Sequence, residues 1–304
     1  MVMKSARYQS LFARIEAGEK ILIDGATGTE CERRGVPQVI NTWNSGAALS
    51  HPDIVRSIHE DYIECGAEII ITNTFSSSRH AMRSAGIEDR FEDLTNAAVR
   101  LAHDARDNMR KPDVLIAGGI THWIWTETPP SLAELEANSR DQAVLMAAGG
   151  CDLIMLEMLS DIDRLIACID GTRDSGLPVW PGISLEPKDG RMRLLGGETL
   201  EDTLKSIEGM NVPLINIMHT EVAHVDEALD IVQANYDGAI GVYAHTCGWR
   251  EGVDGKDIEA VFDDMITPED YATEAQRWLA RGVQIIGGCC GVRKEHICAL
   301  QKIV

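Results

Sequence analysis

HPDIVRSIHEDYIECG, residues 51–66, runs straight into AEIIITNTF, residues 67–75. Ile54, Val55, Ile58, Tyr62 and Ile63 recur at helical spacing, and Gly66 supplies a C-cap that ends the helix. EIIITNTF (68–75) then strings apolar residues together without alternation, as a parallel strand covered on both faces requires. The same kind of run recurs at ILIDGATG (21–28), DVLIAGGI (113–120), CDLIMLEM (151–158) and PVWPGISL (178–185). It returns at PLINIMHT (213–220), AIGVYAHT (239–246) and VQIIGGCC (283–290). Helical patterns fill the gaps at 91–109, 139–150, 161–176, 221–235 and 267–282. Strand–helix alternation repeated in this way predicts an α/β chain folded as a closed (β/α)8 TIM barrel rather than an open doubly wound sheet. No Pro/Ser-rich linker, low-complexity tract or charge block divides it, so a single domain over residues 1–304 is expected.

Composition narrows the partners. Lys and Arg total 28 against 48 Asp and Glu, a formal net charge of −20. So acidic a field repels nucleic acid and anionic membranes, and neither is expected as a partner. No apolar run approaches the roughly 18 residues of a membrane span, and MVMKSARYQSLFARI (1–15) has no secretory pattern. A cytoplasmic location and eight cysteines kept as thiols or metal ligands are therefore expected. Cys31, Cys65, Cys151, Cys168 and Cys298 lie singly in apolar or helical contexts and read as small core residues.

In a barrel of this kind the chemistry collects at the C-terminal ends of the strands. Those ends carry Asp24, Asn73, Gly118–Gly119, Glu157, Ser184, His219, His245 and the adjacent pair Cys289–Cys290. GGCCG (287–291) is the most informative. Successive residues on a regular strand point to opposite faces, so both thiols reach one ion only if the backbone bends. The flanking Gly287, Gly288 and Gly291 allow that bend. A catalytic zinc site needs a third protein ligand and an open fourth position. Inert thiols in a tight turn and a strained vicinal disulfide are the other readings of the pair.

At this point the chain resembles the homocysteine S-methyltransferase family over nearly its whole length. DGATGTE with ERRG (24–30 and 32–35) resembles the opening motif. HPDIVRSIHEDYIECGAEIIITNTF (51–75) resembles the first helix and second strand, LEM (156–158) the strand-four glutamate motif, and GGCCGVRKEHICAL (287–300) the closing motif. The resemblance implies a Zn2+ enzyme in which two adjacent cysteines and a third on strand six hold the ion. Cys289 and Cys290 match the pair. Where the family ends strand six in an Asn-Cys-Thr-like sequence, this chain reads Met218-His219-Thr220, which puts His219 at the third position. Imidazole is a good zinc ligand, so His219, Cys289 and Cys290 form the expected catalytic and metal-binding set. His245 and Cys247, in a strand-seven segment that also departs from the family, remain rivals for the third place.

The implied reaction moves a methyl group from a sulfonium or quaternary ammonium donor to the thiol of homocysteine, giving methionine. The resemblance further implies that Asp24 and Glu157 bind the homocysteine ammonium. The backbone around Gly25, Ala26 and Thr27 can supply donors for the carboxylate. Trp43 matches a tryptophan beside the methyl donor in betaine-using relatives, and Trp123 and Trp125 are further aromatic candidates for holding a cation. Asn73, Ser184 and Tyr243 are candidate polar lining. Methylation of another thiol or selenol, demethylation of a betaine-like compound, and a non-catalytic zinc or thiol sensor are the alternatives. A monomer or small homo-oligomer is expected, with no corrinoid or folate domain.

Overall fold

The computed structural model describes residues 5–38, 42–44, 46–123, 129–251, 258–261 and 266–304. Eight parallel strands form its centre: β1 (Ile21–Leu22), β2 (Ile69–Ile71), β3 (Leu115–Ile120), β4 (Leu153–Leu159), β5 (Val179–Ile183), β6 (Leu214–Glu221), β7 (Ala239–His245) and β8 (Ile285–Ile286). Each coincides with one of the apolar runs expected to be a strand, β4 and β6 running one residue past theirs. Neighbours in sequence are neighbours in the sheet, β8 pairs with β1, and the bridge between Ile23 and Ile69 closes the ring. The fold is a single (β/α)8 barrel.

Every strand feeds two cores because successive side chains point to opposite faces. Ile69, Ile71, Leu115, Ala117, Leu153 and Met155 fill the barrel interior. Ile70, Ile116 and Ile154 face outward into the layer shared with the helices. Both faces are dry, which is why the strands lack polar alternation. The helix Ala6–Glu16, which the strand–helix pattern did not include, sends Tyr8, Leu11 and Ile15 into the interior core. Tyr8 stacks on Phe12 at 5.6 Å and its phenol accepts from the indole N–H of Trp180 at 3.2 Å.

The expected helices are present with shifted ends. The helix placed at 139–150 begins already at Leu132, because Ser131 and Glu134 form a reciprocal capping box. The helix placed at 221–235 starts at Val225, since β6 runs on to Glu221 and a 3-10 turn follows. Pro52–Glu64 ends as read, with Gly66 at φ +99. One expectation is corrected. Cys65 and Cys298 are not separate thiols: they form a disulfide that joins the end of Pro52–Glu64 to the helix Lys294–Leu300. A separation of 233 residues hid the pair, whose Cα atoms lie 4.6 Å apart in the fold. Among the described residues no helix is long and apolar enough to cross a membrane.

Candidate metal centre and substrate cavity

A cavity of about 310 Å³ opens at the C-terminal rim of the barrel. Two bulges shape it. Against β7, β6 pairs Met218 with Tyr243 and then Glu221 with His245, so His219 and Thr220 face one residue of the partner strand. Against β5, β4 pairs Leu156 with Pro181 and then Leu159 with Ile183, so Glu157 and Met158 face Gly182 alone. A bulge re-aims the side chains it carries. His219 and Met158 take left-handed backbone conformations here, at φ +45 and +55, as does Trp43 at +46. All three line the cavity, and backbone strain of this kind gathers at functional sites.

Past Ile286 the chain still runs along its neighbours, Gly287 and Cys289 donating to Val242 O and Ala244 O and Gly288 to Asp24 O, and it bends at Cys290–Gly291 with Gly291 at φ +82. The bend brings both thiols to one side. Cys289 Sγ and Cys290 Sγ lie 3.6 Å apart, and each is 3.7 Å from His219 Nδ1. Tetrahedral zinc with Zn–S of about 2.3 Å and Zn–N of about 2.0–2.1 Å would set sulfurs about 3.8 Å apart and sulfur and nitrogen about 3.6 Å apart. The three donors therefore fit a tetrahedral ion with one position left over, and all three line the cavity. The hydrogen bond from Cys290 holds Cys289 well below the usual thiol range, with burial opposing and His219 assisting. Cys290 is raised by the same bond and by burial.

The rival ligands stand beside this cluster and not in it. His245 lies against His219 with ring centroids 4.8 Å apart, and its buried Nδ1 has no partner. Cys247 packs on Cys290, and burial pushes its thiol up to about 12. Among the described residues the three-donor group is His219, Cys289 and Cys290.

Glu157 lines the cavity, and its carboxyl is raised well above the usual range by burial, then by the charges of Cys289 and Asp24. Asp24, expected beside it, lies in the wall: it is 1% exposed, and its Oδ2 accepts from the Ile71 N–H at 2.7 Å. The other oxygen is buried without a partner, and burial raises the group strongly. Gly25, Thr27, Asn73 and Tyr243 all reach the cavity. Tyr243 is fully buried with an unpartnered hydroxyl. Ser184 is buried and does not line the cavity.

Trp43 and Trp123 also line it, while Trp125 lies outside the described residues. The Trp43 indole lies over Gly28, where a Cβ would come within 2.5 Å of the ring, and it meets Phe75 edge-on at 6.3 Å. Phe75, Met158, Leu195 and Met218 complete an apolar wall that sequence reasoning did not assign. Phe75 was findable, since it ends the run 68–75 at the rim. Met158 gave no signal, because it lies in the β4 bulge.

The family model for homocysteine S-methyltransferase matches residues 21–304. The chain belongs to the homocysteine S-methyltransferase family. Membership makes it a methyltransferase. It is 26% identical over 310 residues to S-methylmethionine–homocysteine S-methyltransferase BHMT2 of Pongo abelii, covering 97% of this chain and 81% of that one. Selenocysteine methyltransferase of Astragalus bisulcatus is 24% identical over 328 residues, covering 95% and 94%. In fold, the chain is similar to the metallated form of the homocysteine methyltransferase MmuM from Escherichia coli. The TM-score is 0.80 at 22% identity, over 97% of this chain and 99% of that one. Its apo form gives 0.73.

Proposed function

We propose that this family member is a zinc-dependent S-methyltransferase that moves a methyl group from a sulfonium or quaternary ammonium donor to the thiol of homocysteine, giving methionine. The observation that carries the reading is the trio His219, Cys289 and Cys290, held at tetrahedral spacing and open to the cavity. Zinc on this trio would leave a fourth position free and supply the Lewis acidity that lowers the pKa of a thiol there.

The remaining work falls to side chains that bind and orient. Glu157, raised first by burial, is the complement for the acceptor's ammonium, with Asp24 in the wall behind it. The backbone from Gly25 to Gly28 opens the helix Gly28–Arg33 onto the cavity and provides N–H groups for the carboxylate. Trp43, Phe75 and Trp123 offer aromatic faces to a methylated cation. The apolar wall keeps water from the reacting atoms, so catalysis consists of placing a thiolate and a methyl carbon in line. With imidazole in place of a third thiolate, the ligand set carries one negative charge fewer. His219→Cys is expected to shift the preference among donors for that reason.

The test is methionine formation followed by mass spectrometry, with zinc-loaded protein, homocysteine and S-methylmethionine, S-adenosylmethionine, glycine betaine or dimethylsulfoniopropionate. Methionine from at least one donor, lost together with the metal in Cys290→Ala, supports the reading. No methionine from any of them, with zinc bound, overturns homocysteine as acceptor. The same reading places the enzyme in the cytoplasm as a monomer or small homo-oligomer without nucleic-acid or membrane partners, which the net charge of −20 supports.

A further inference from the structure

Glu157 sits on a two-residue excursion of β4, and the far end of that excursion is tied down by a histidine from another loop. His122 follows β3 and immediately precedes Trp123. Its ring is 5% exposed, and Nε2 lies 3.0 Å from the backbone N of Ser160 and 3.2 Å from Ser160 Oγ. A backbone N–H can only donate, so Nε2 is the bare nitrogen and the ring is neutral with its proton on Nδ1. Burial favours the same state, holding His122 down at about 4.

The loop that carries the ring is itself held. His80, on the helix Arg79–Ser84, lies against the backbone of His122. His80 Nε2 lies 3.0 Å from Ser78 Oγ, and its Nδ1 lies 3.2 Å from the amide of Asn138 on the helix Leu132–Ala148. Three loops that line the cavity thus meet in one buried polar cluster: the segment after β2, the segment after β3 with Trp123, and the end of β4.

Up to Leu156, β4 is held by ladders to β3 and β5. Beyond the bulge it is held by Ser184 N–H to Leu159 O at 3.2 Å, Gly196 N–H to Ser160 O at 2.6 Å, and Ser160 N–H to His122. Glu157 and Met158 span the interval, with Met158 in a left-handed conformation. Such strain persists only while its surroundings over-determine it.

Resting on the function proposed above, we propose that His122 is a positioning residue: by accepting from Ser160 it fixes the β4 bulge and so holds Glu157 where it meets the acceptor's ammonium. It touches neither substrate.

His122→Phe keeps the ring but removes the acceptor, leaving the buried Ser160 N–H unpaired. His122→Gln returns an acceptor near Nε2. Loss of an interaction shared by ground and transition states raises KM and spares kcat. For homocysteine, H122F is expected to raise KM by about 10- to 100-fold, the range that follows from stranding one buried donor. Bound zinc per chain should stay unchanged, and H122Q should lie within about threefold of wild type.

The deciding measurement is the double-mutant cycle with Glu157→Gln. If His122 acts through Glu157, adding H122F to E157Q changes KM by less than about twofold; a general loss of packing would multiply the two effects. If H122F does not fold, His122→Asn, whose amide stands in for Nδ1 rather than Nε2, carries the same cycle. A wild-type-like H122F, equal damage by Phe and Gln, or multiplicative effects in the cycle overturns the assignment while the function stands. A wild type that makes no methionine overturns the function and this inference with it.

Discussion

Replacing Glu157 by Gln should push stability and acceptor binding in opposite directions. The carboxyl lines the cavity and is raised well above the usual range, first by burial and then by Cys289 and Asp24. Truncating one partner of a buried, hydrogen-bonded charge pair costs about 2–5 kcal/mol; glutamine keeps an acceptor oxygen, which argues for the lower part, about 2–3 kcal/mol. That corresponds to about 30- to 150-fold in kcat/KM for homocysteine, carried mostly by KM. The donor's KM should move by less than about threefold, since the aromatic faces of Trp43 and Phe75 are untouched.

Without substrate the same change stabilises the protein. A carboxylic acid whose folded-state pKa is raised binds its proton more tightly in the folded chain. Raising the pH above the ordinary glutamate value therefore erodes the stability of the wild type but not of E157Q. The variants should coincide near pH 4 and diverge as pH rises, with E157Q ahead by about 1 kcal/mol at pH 8, discounted because the carboxyl reaches cavity water. Denaturant midpoints from pH 4 to 8, beside initial rates at varied homocysteine, measure both halves. An acceptor KM within twofold of wild type, or an E157Q less stable than wild type at pH 8, refutes the assignment of Glu157.

Gly28→Ala would place a Cβ 2.5 Å from the Trp43 ring; tilting the indole should raise the donor's KM about tenfold, the order of one lost cation–π contact, with zinc content unchanged. His59 is buried with both ring nitrogens unpartnered, and burial lowers it to about 4, as it does His80 and His122. The unfolded chain takes up these protons first, so the histidines' contribution to stability should be level above pH about 6.5 and fall toward pH 4, by up to about 1.4 kcal/mol per unit for each of them. In urea titrations His59→Leu should remove one share of that slope. Thiol titration of the denatured, unreduced chain should find six of the eight cysteines, because Cys65 and Cys298 are paired. Cys298→Ser is expected to lower stability by about 2–4 kcal/mol.

The barrel was legible because its demands are local. A parallel strand covered on both faces must be apolar throughout, and all eight such runs became barrel strands. Cys289 and Cys290 stood out because they are adjacent among glycines, and His219 because the family resemblance puts it at the third ligand position, with His245 and Cys247 left as rivals.

Contacts between distant segments were not legible. The Ala6–Glu16 helix meets the barrel interior through Tyr8 and Trp180, 172 residues apart. Cys65 finds Cys298, and His122 finds Ser160, through helices and loops that no spacing rule connects. A strand's two-residue period also says nothing of where a bulge will break it. The bulges on β4 and β6 turn Met158 and His219 toward the cavity beside the inward-facing Glu157, while Asp24, just past β1, stays in the wall against the Ile71 amide. Local chemistry named the donors; the pairing of each strand with its neighbours decided which of them face one another.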